Sequence, residues 1–108
     1  MDMLYYIYIG SNRVTIDHLS KIAGGMFMAV SSCNKAAKVI DGIRERYNTS
    51  ILYEESTPQK DSQNITFLHK RFPRVYIILI TEGLQKEHRK LYLQAGVNNT
   101  LSPMASEE

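Results

Sequence analysis

Cysteine is almost missing: Cys33 is the one thiol in 108 residues. A lone thiol closes no internal disulfide and builds no cysteine metal cluster, so a stapled secreted scaffold is excluded and a reducing cytoplasm is the compartment that fits. Charge of one sign is scarce as well. Thirteen Lys and Arg against eleven Asp and Glu leave a formal net charge of +2, spread over several segments rather than gathered in a basic stripe. Direct nucleic-acid binding is therefore not expected. Long apolar runs are absent: Leu4–Ile9 is far too short to cross a bilayer and lacks the flanks of a signal peptide, so no membrane contact is expected. His18, His69 and His88 fall in three separate predicted helices without ligand spacing, which gives no reason to expect a metal. No cofactor is implied either, and no repeat or low-complexity tract interrupts the chain.

What remains is a composition of 44% hydrophobic and 22% charged residues, which fits one globular domain over residues 1–108 built on one core. Met3–Ile9 is an apolar, aromatic and β-branched run closed by Gly10-Ser11-Asn12, the signature of a strand buried on both faces. Val14–Ala23 carries Ile16, Leu19 and Ile22 at helical spacing and stops at Gly24-Gly25. A short strand over Met26–Val30 follows. Ser31 to Asn34 offer N-cap oxygens for a helix over Lys35–Tyr47, with Ala36, Ala37, Val39, Ile40 and Ile43 on one face. Ser50–Tyr53 is the third strand, Ser56–Gln63 a polar loop, and Asn64–Arg71 a short helix closed by Phe72-Pro73. Val75–Ile80 is the central buried strand, Leu84–Ala95 a helix with Gly96 as its cap, and Val97–Leu101 the last and weakest strand. Strand and helix alternate throughout, which predicts βαβ crossovers around a five-stranded parallel sheet.

The candidate site is the stretch Ser50-Ile51-Leu52-Tyr53-Glu54-Glu55-Ser56-Thr57-Pro58, a strand that leaves the sheet with acids at its carboxyl end. Ligands and chemistry gather at that end in open α/β sheets. Glu54 and Glu55 are neighbours on a strand and so are expected to point to opposite faces, which argues against a paired acid and base. Gly10-Ser11-Asn12 is short for a phosphate-binding turn, though backbone N–H groups before a helix do attract anions. Cys33 at a helix start has no partner His or second Cys to activate it.

The order of elements, Glu54 four residues before Pro58, Thr81 at the end of the fourth strand, and Gln94-Ala95-Gly96-Val97-Asn98-Asn99 together resemble the receiver domain of bacterial response regulators. The likeness spans residues 3 to 104. It implies a doubly wound α/β sheet of strand order 2-1-3-4-5, with a fifth helix that is short or absent here because Pro103–Glu108 is too brief to supply one. The same resemblance implies a degenerate pocket. Glu54 stands where receivers place the phosphoacceptor aspartate, Gly10-Ser11-Asn12 where they place the acids that hold Mg²⁺, and Leu101-Ser102-Pro103 supplies no lysine. The aromatic switch position falls on Thr100, and Thr81 alone is in register. Phosphoryl transfer rests on positioning and charge neutralisation, so losing these groups together removes the reaction.

The implied function is a non-catalytic pseudo-receiver, a regulatory and protein-interaction module of signal transduction that is not an enzyme. Glu54 is either a fixed charge that imitates phosphorylation or a solvated carboxylate left at a strand end. The resemblance implies a protein partner or a fused effector domain, DNA-binding or enzymatic, and allows a homodimer. The beginning at Met1 and the polar end favour the N-terminal part of a longer protein. His88, Arg89 and Tyr92 on the fourth helix are the expected exposed contact residues. The alternative is a flavodoxin-like module binding a small ligand or nucleotide through Gly10-Ser11-Asn12 and Thr81-Glu82-Gly83.

Overall fold

The structure is a computed structural model, and it describes residues 3–104. Five strands and four helices alternate as β1 (Met3–Ile9), α1 (Arg13–Ile22), β2 (Met26–Val30), α2 (Cys33–Ile43), β3 (Tyr47–Glu54), α3 (Pro58–Arg71), β4 (Tyr76–Ile80), α4 (Lys86–Ala95) and β5 (Asn99–Leu101). All neighbouring strands pair in parallel, in the order β2-β1-β3-β4-β5. This is the doubly wound sheet expected from the sequence.

The pleat sorts each strand between two cores. Tyr5, Ile7 and Ile9 of β1, Ile51 and Tyr53 of β3, and Ile77 and Leu79 of β4 pack with Ala36 and Ile40 of α2, Ile65 and Leu68 of α3, and Tyr92 of α4. Tyr8, Leu52 and Ile80 turn to the other face, where Leu19, Ile16 and Ile22 of α1 cover them. Where both faces are covered, as over Ile7–Ile9 of β1 and Ile77–Ile80 of β4, the strand reads as a continuous apolar run rather than an alternating one.

Several boundaries differ from expectation, each for a tertiary reason. The second helix stops at Ile43 instead of Tyr47, and β3 begins at Tyr47 instead of Ser50. Strand β1 needs a partner along its whole length, so Met3 pairs with Tyr47 and Leu4 with Asn48, and the Tyr47 ring meets the Tyr5 ring edge-on with centroids 5.2 Å apart. The expected polar loop over Ser56–Gln63 is largely helix, since α3 starts at Pro58 with Thr57 as its cap residue. Proline at the first helical position loses no needed donor. At the far edge β5 holds three residues, because Val97 is drawn into the core and Asn98 substitutes for ladder pairing: its N–H donates to the Ile77 carbonyl at 2.8 Å and its Oδ1 accepts from the Ile77 N–H at 2.8 Å. Pro103 and Met104 form a turn, and residues 105–108, where a short fifth helix was in question, lie outside the described residues.

Candidate functional site

The carboxyl ends of β1, β3 and β4 open into a cavity of about 530 Å³ lined by Tyr8, Asn12, Glu54, Glu55, Thr81 and Glu82, among others. Glu54 is the last residue of β3. Its Oε1 accepts a hydrogen bond from the Tyr8 hydroxyl at 2.6 Å, from the Asn12 N–H at 2.9 Å and from the Ser11 N–H at 3.2 Å, while the same Ser11 N–H lies 3.4 Å from Oε2. The carboxylate is thus clamped onto the β1–α1 turn and is no loose, solvated side chain. Burial first, and then the hydrogen bond to Glu54, push the Tyr8 phenol well above the ordinary tyrosine range.

Glycine at position 10 makes this contact geometrically allowed. Its φ is +157°, and a Cβ there would lie 2.6 Å from both Cβ and Oε1 of Glu54. Asn12 then begins α1, its Oδ1 accepting from the Thr15 N–H at 3.2 Å. Amides at a helix start that would otherwise receive an external anion receive the chain's own carboxylate. The phosphate-turn reading of Gly10-Ser11-Asn12 loses its free donors for that reason.

Glu55 makes the other half of the site. The pleat ends at Glu54, so strict alternation no longer applies, and both carboxylates line one cavity instead of facing apart as expected. Glu55 Oε1 accepts from the Thr81 hydroxyl at 2.6 Å, and Thr81 Oγ1 accepts from the Gly83 N–H at 3.3 Å. Thr81, buried and in the position expected, answers to Glu55 and not to Glu54. Thr100 sits exposed on β5, away from this network.

The expected contact residues on α4 separate. Arg89 is exposed and His88 half-buried, but Tyr92 is 1% exposed and belongs to the core. Helical spacing put Tyr92 on the same face as His88; the packing of α4 on α3 turned that part of the face inward. Its hydroxyl donates to Asp61 Oδ2 at 2.9 Å, a bond across the two helices. Gly96 has φ +126°, and a Cβ there would come within 2.7 Å of His69 Cγ, so the close of α4 against α3 depends on it.

Asp61 is the residue that sequence reasoning missed. It is 1% exposed, and besides Tyr92 it accepts from the Tyr53 hydroxyl at 3.1 Å and from the Ser56 N–H at 2.7 Å. Thr57-Pro58 followed by an acid in the first turn is a helix-start signal that would have found it. Burial chiefly, and Asp61 in part, raise both Tyr53 and Tyr92 far above the ordinary phenol range, with an Asn64 hydrogen bond opposing the rise at Tyr53.

Cys33 lines a second cavity, of about 440 Å³, beside Asp61 and Asn64. Burial and then the negative charge of Asp61 push its thiol up to about 11. Alkylation by iodoacetamide at neutral pH is expected to run about a hundredfold slower than for a free thiol; intact mass followed over time measures it, and a rate near that of free cysteine would contradict the burial. Among the described residues, no group of three or more His, Cys, Asp or Glu is arranged to hold a metal ion, and no helix is long and apolar enough to cross a membrane.

No protein-family model and no curated protein sequence matches the chain. Solved structures do. A CheY-like protein (tadZ) of Pseudomonas aeruginosa superposes with a TM-score of 0.81 at 12% identity, over 99% of this chain and 86% of that one. A putative pilus assembly-related protein of Burkholderia pseudomallei gives 0.76 at 14% identity, over 93% and 78%. An atypical orphan response regulator, described as having a phosphorylation-independent regulatory mechanism, gives 0.70 at 11% identity, over 91% and 80%. With its sheet order, its four helices and these likenesses, the chain has the fold of a CheY-like response regulator receiver domain.

Proposed function

We propose that this chain is a pseudo-receiver, a non-catalytic regulatory and interaction module of signal transduction that works without aspartyl phosphorylation. The observation that carries the reading is the clamp on Glu54: the carboxylate at the end of β3 is bound by Tyr8, Ser11 and Asn12 of the β1–α1 region. That region brings a phenol and two amides, not carboxylates, so a hard divalent cation finds no anionic pair there. Glu55 occupies the Thr81 hydroxyl in the same way. The polar groups of the site are paired with one another, and Glu54 joins β3 to the β1–α1 turn through its hydrogen bonds.

The likeness to an orphan regulator described as phosphorylation-independent supports this reading, and the same fold recurs in proteins described as putative pilus assembly proteins. Output then passes through a protein partner or a fused effector domain, and the exposed side of α4 around Arg89 is the face offered to it. Incubation with acetyl phosphate and Mg²⁺, followed by intact mass and by thermal unfolding of the same samples, tests the proposal. The expected result is no phosphoryl adduct and no magnesium-dependent rise in melting temperature. A stable adduct, or a clear magnesium shift, would return the site to phosphotransfer.

A further inference from the structure

At the opposite pole of the sheet a cavity of about 460 Å³ lies between the C-terminal ends of α2 and α3 and the amino ends of β3 and β4. Thr49 in its wall stands five residue steps before Glu54, roughly 16 Å along β3, so the cavity is independent of the Glu54 site. Arg44, Arg71 and Arg74 all line it. Arg71 is paired with Asp41 at 2.5 Å, and its guanidinium carbon lies 5.3 Å from the centre of the Phe72 ring. Arg44 and Arg74 are exposed and have no acidic partner among the described residues. Bringing like charges around one space is unfavourable unless something negative occupies it.

A second, independent feature points the same way. Thr49 is 9% exposed and its Oγ1 has no hydrogen-bond partner among the described residues. Valine would fill that volume without burying an unmatched hydroxyl, so the fold alone gives no reason for threonine. Rotation about χ1 exchanges the hydroxyl with the γ-methyl and lets this side chain present either one to the cavity. Glu45 in the wall and the carbonyl ends of α2 and α3 oppose an anion there, so a bound phosphate depends on the arginines outweighing them. Tyr47, Phe72, Pro73 and Val75 give the remaining wall an apolar, partly aromatic surface suited to a ring. The volume is that of a small-ligand site.

We propose that this cavity binds a small phosphomonoester carrying a heterocyclic ring, the chemistry of a mononucleotide, with its phosphate on Arg44, Arg74 and the Thr49 hydroxyl. Guanidinium forks match phosphate oxygens two at a time, and the bonds are charge-assisted. The ring lies toward Tyr47 and Phe72.

Calorimetric titration with adenosine and guanosine 5′-monophosphate, with adenosine and with inorganic phosphate tests this on the full chain. Saturable binding of a monophosphate is expected, weakened roughly tenfold or more by Arg44→Gln or Arg74→Gln and lost progressively with added salt. Adenosine is expected to bind at least about tenfold more weakly. Thr49→Val should weaken binding while raising the melting temperature, a pairing that a merely structural threonine would not give. Glu54→Gln should leave binding unchanged, which separates this site from the pole where Glu54 lies. The proposal fails if neither monophosphate binds saturably, or if the arginine variants lower the melting temperature but bind as tightly as the parent; the arginines would then serve only the helix ends.

Discussion

Replacing Asp61 with alanine should lower the free energy of unfolding by about 2–5 kcal/mol, the largest single-residue effect expected in this chain. The carboxylate is the shared acceptor for the Tyr53 and Tyr92 hydroxyls and the Ser56 N–H, and it is 1% exposed. Alanine leaves two buried phenols with protons and without the acceptor they now share. Asparagine is the informative companion. Its oxygen can keep the bonds now made by Oδ2, and its amide can donate to the Tyr53 oxygen, which already accepts from Asn64 at 2.9 Å. A loss of about 1–2 kcal/mol is therefore expected for Asp61→Asn. Urea unfolding measures both, with an unchanged m value showing that the comparison is one of stability alone. Equal stability of the alanine variant and the parent would mean that this network closes nothing.

Alkaline pH should destabilise the protein steeply once it rises above about 10. Tyr8, Tyr53 and Tyr92 all have phenols raised above the ordinary value, chiefly by burial and further by Glu54 or Asp61. In the unfolded chain they ionise near about pH 10. Above that point the unfolded state has lost protons that the folded state still holds, so stability falls as pH rises. Each such tyrosine contributes a slope of about 1.4 kcal/mol per pH unit, and three together about 4 kcal/mol per unit. Cys33, raised to about 11, starts the decline earlier, near the ordinary thiol value. Denaturant titrations between about pH 8 and pH 12 give the slope, and tyrosinate absorbance shows when the phenols ionise. Three of the seven tyrosines are expected to ionise together with unfolding. Tyr92→Phe should lower the slope by about a third; a slope unchanged by that variant, or stability that stays flat through about pH 11, would contradict the burial of these hydroxyls.

The two results bear on function because both networks link the strand that carries Glu54 to helices. Tyr8 and Glu54 tie β3 to the start of α1, while Tyr53, Asp61 and Tyr92 tie the same strand to α3 and α4. A regulatory domain without a phosphoryl switch needs its surface held in one arrangement or moved by a partner. These contacts are where such a movement would be resisted.

The sequence by itself determined the number, type and order of the elements, the burial of β1 and β4, and the place of Glu54 and Thr81 at carboxyl strand ends. These follow from local signals: apolar runs of strand length, helical spacing, and glycines at stops. It did not determine where Tyr47–Asn48 would go, since helical continuation was locally adequate and only pairing with Met3–Leu4 made strand better. Nor could it show that Glu54 would be clamped by Tyr8, forty-six residues away, or that Glu55 would reach Thr81. Tyr92 was misread because periodicity gives a face but not which neighbour covers it. Asp61 was passed over because an acid in a polar stretch looks solvated until α3 and α4 close upon it. The arginine cavity likewise has no motif: residues 44, 49, 71 and 74 meet only because two helices end where two strands begin. Local spacing fixes what each segment becomes, but hydrogen bonds and charges between distant segments depend on which faces the packed sheet brings together.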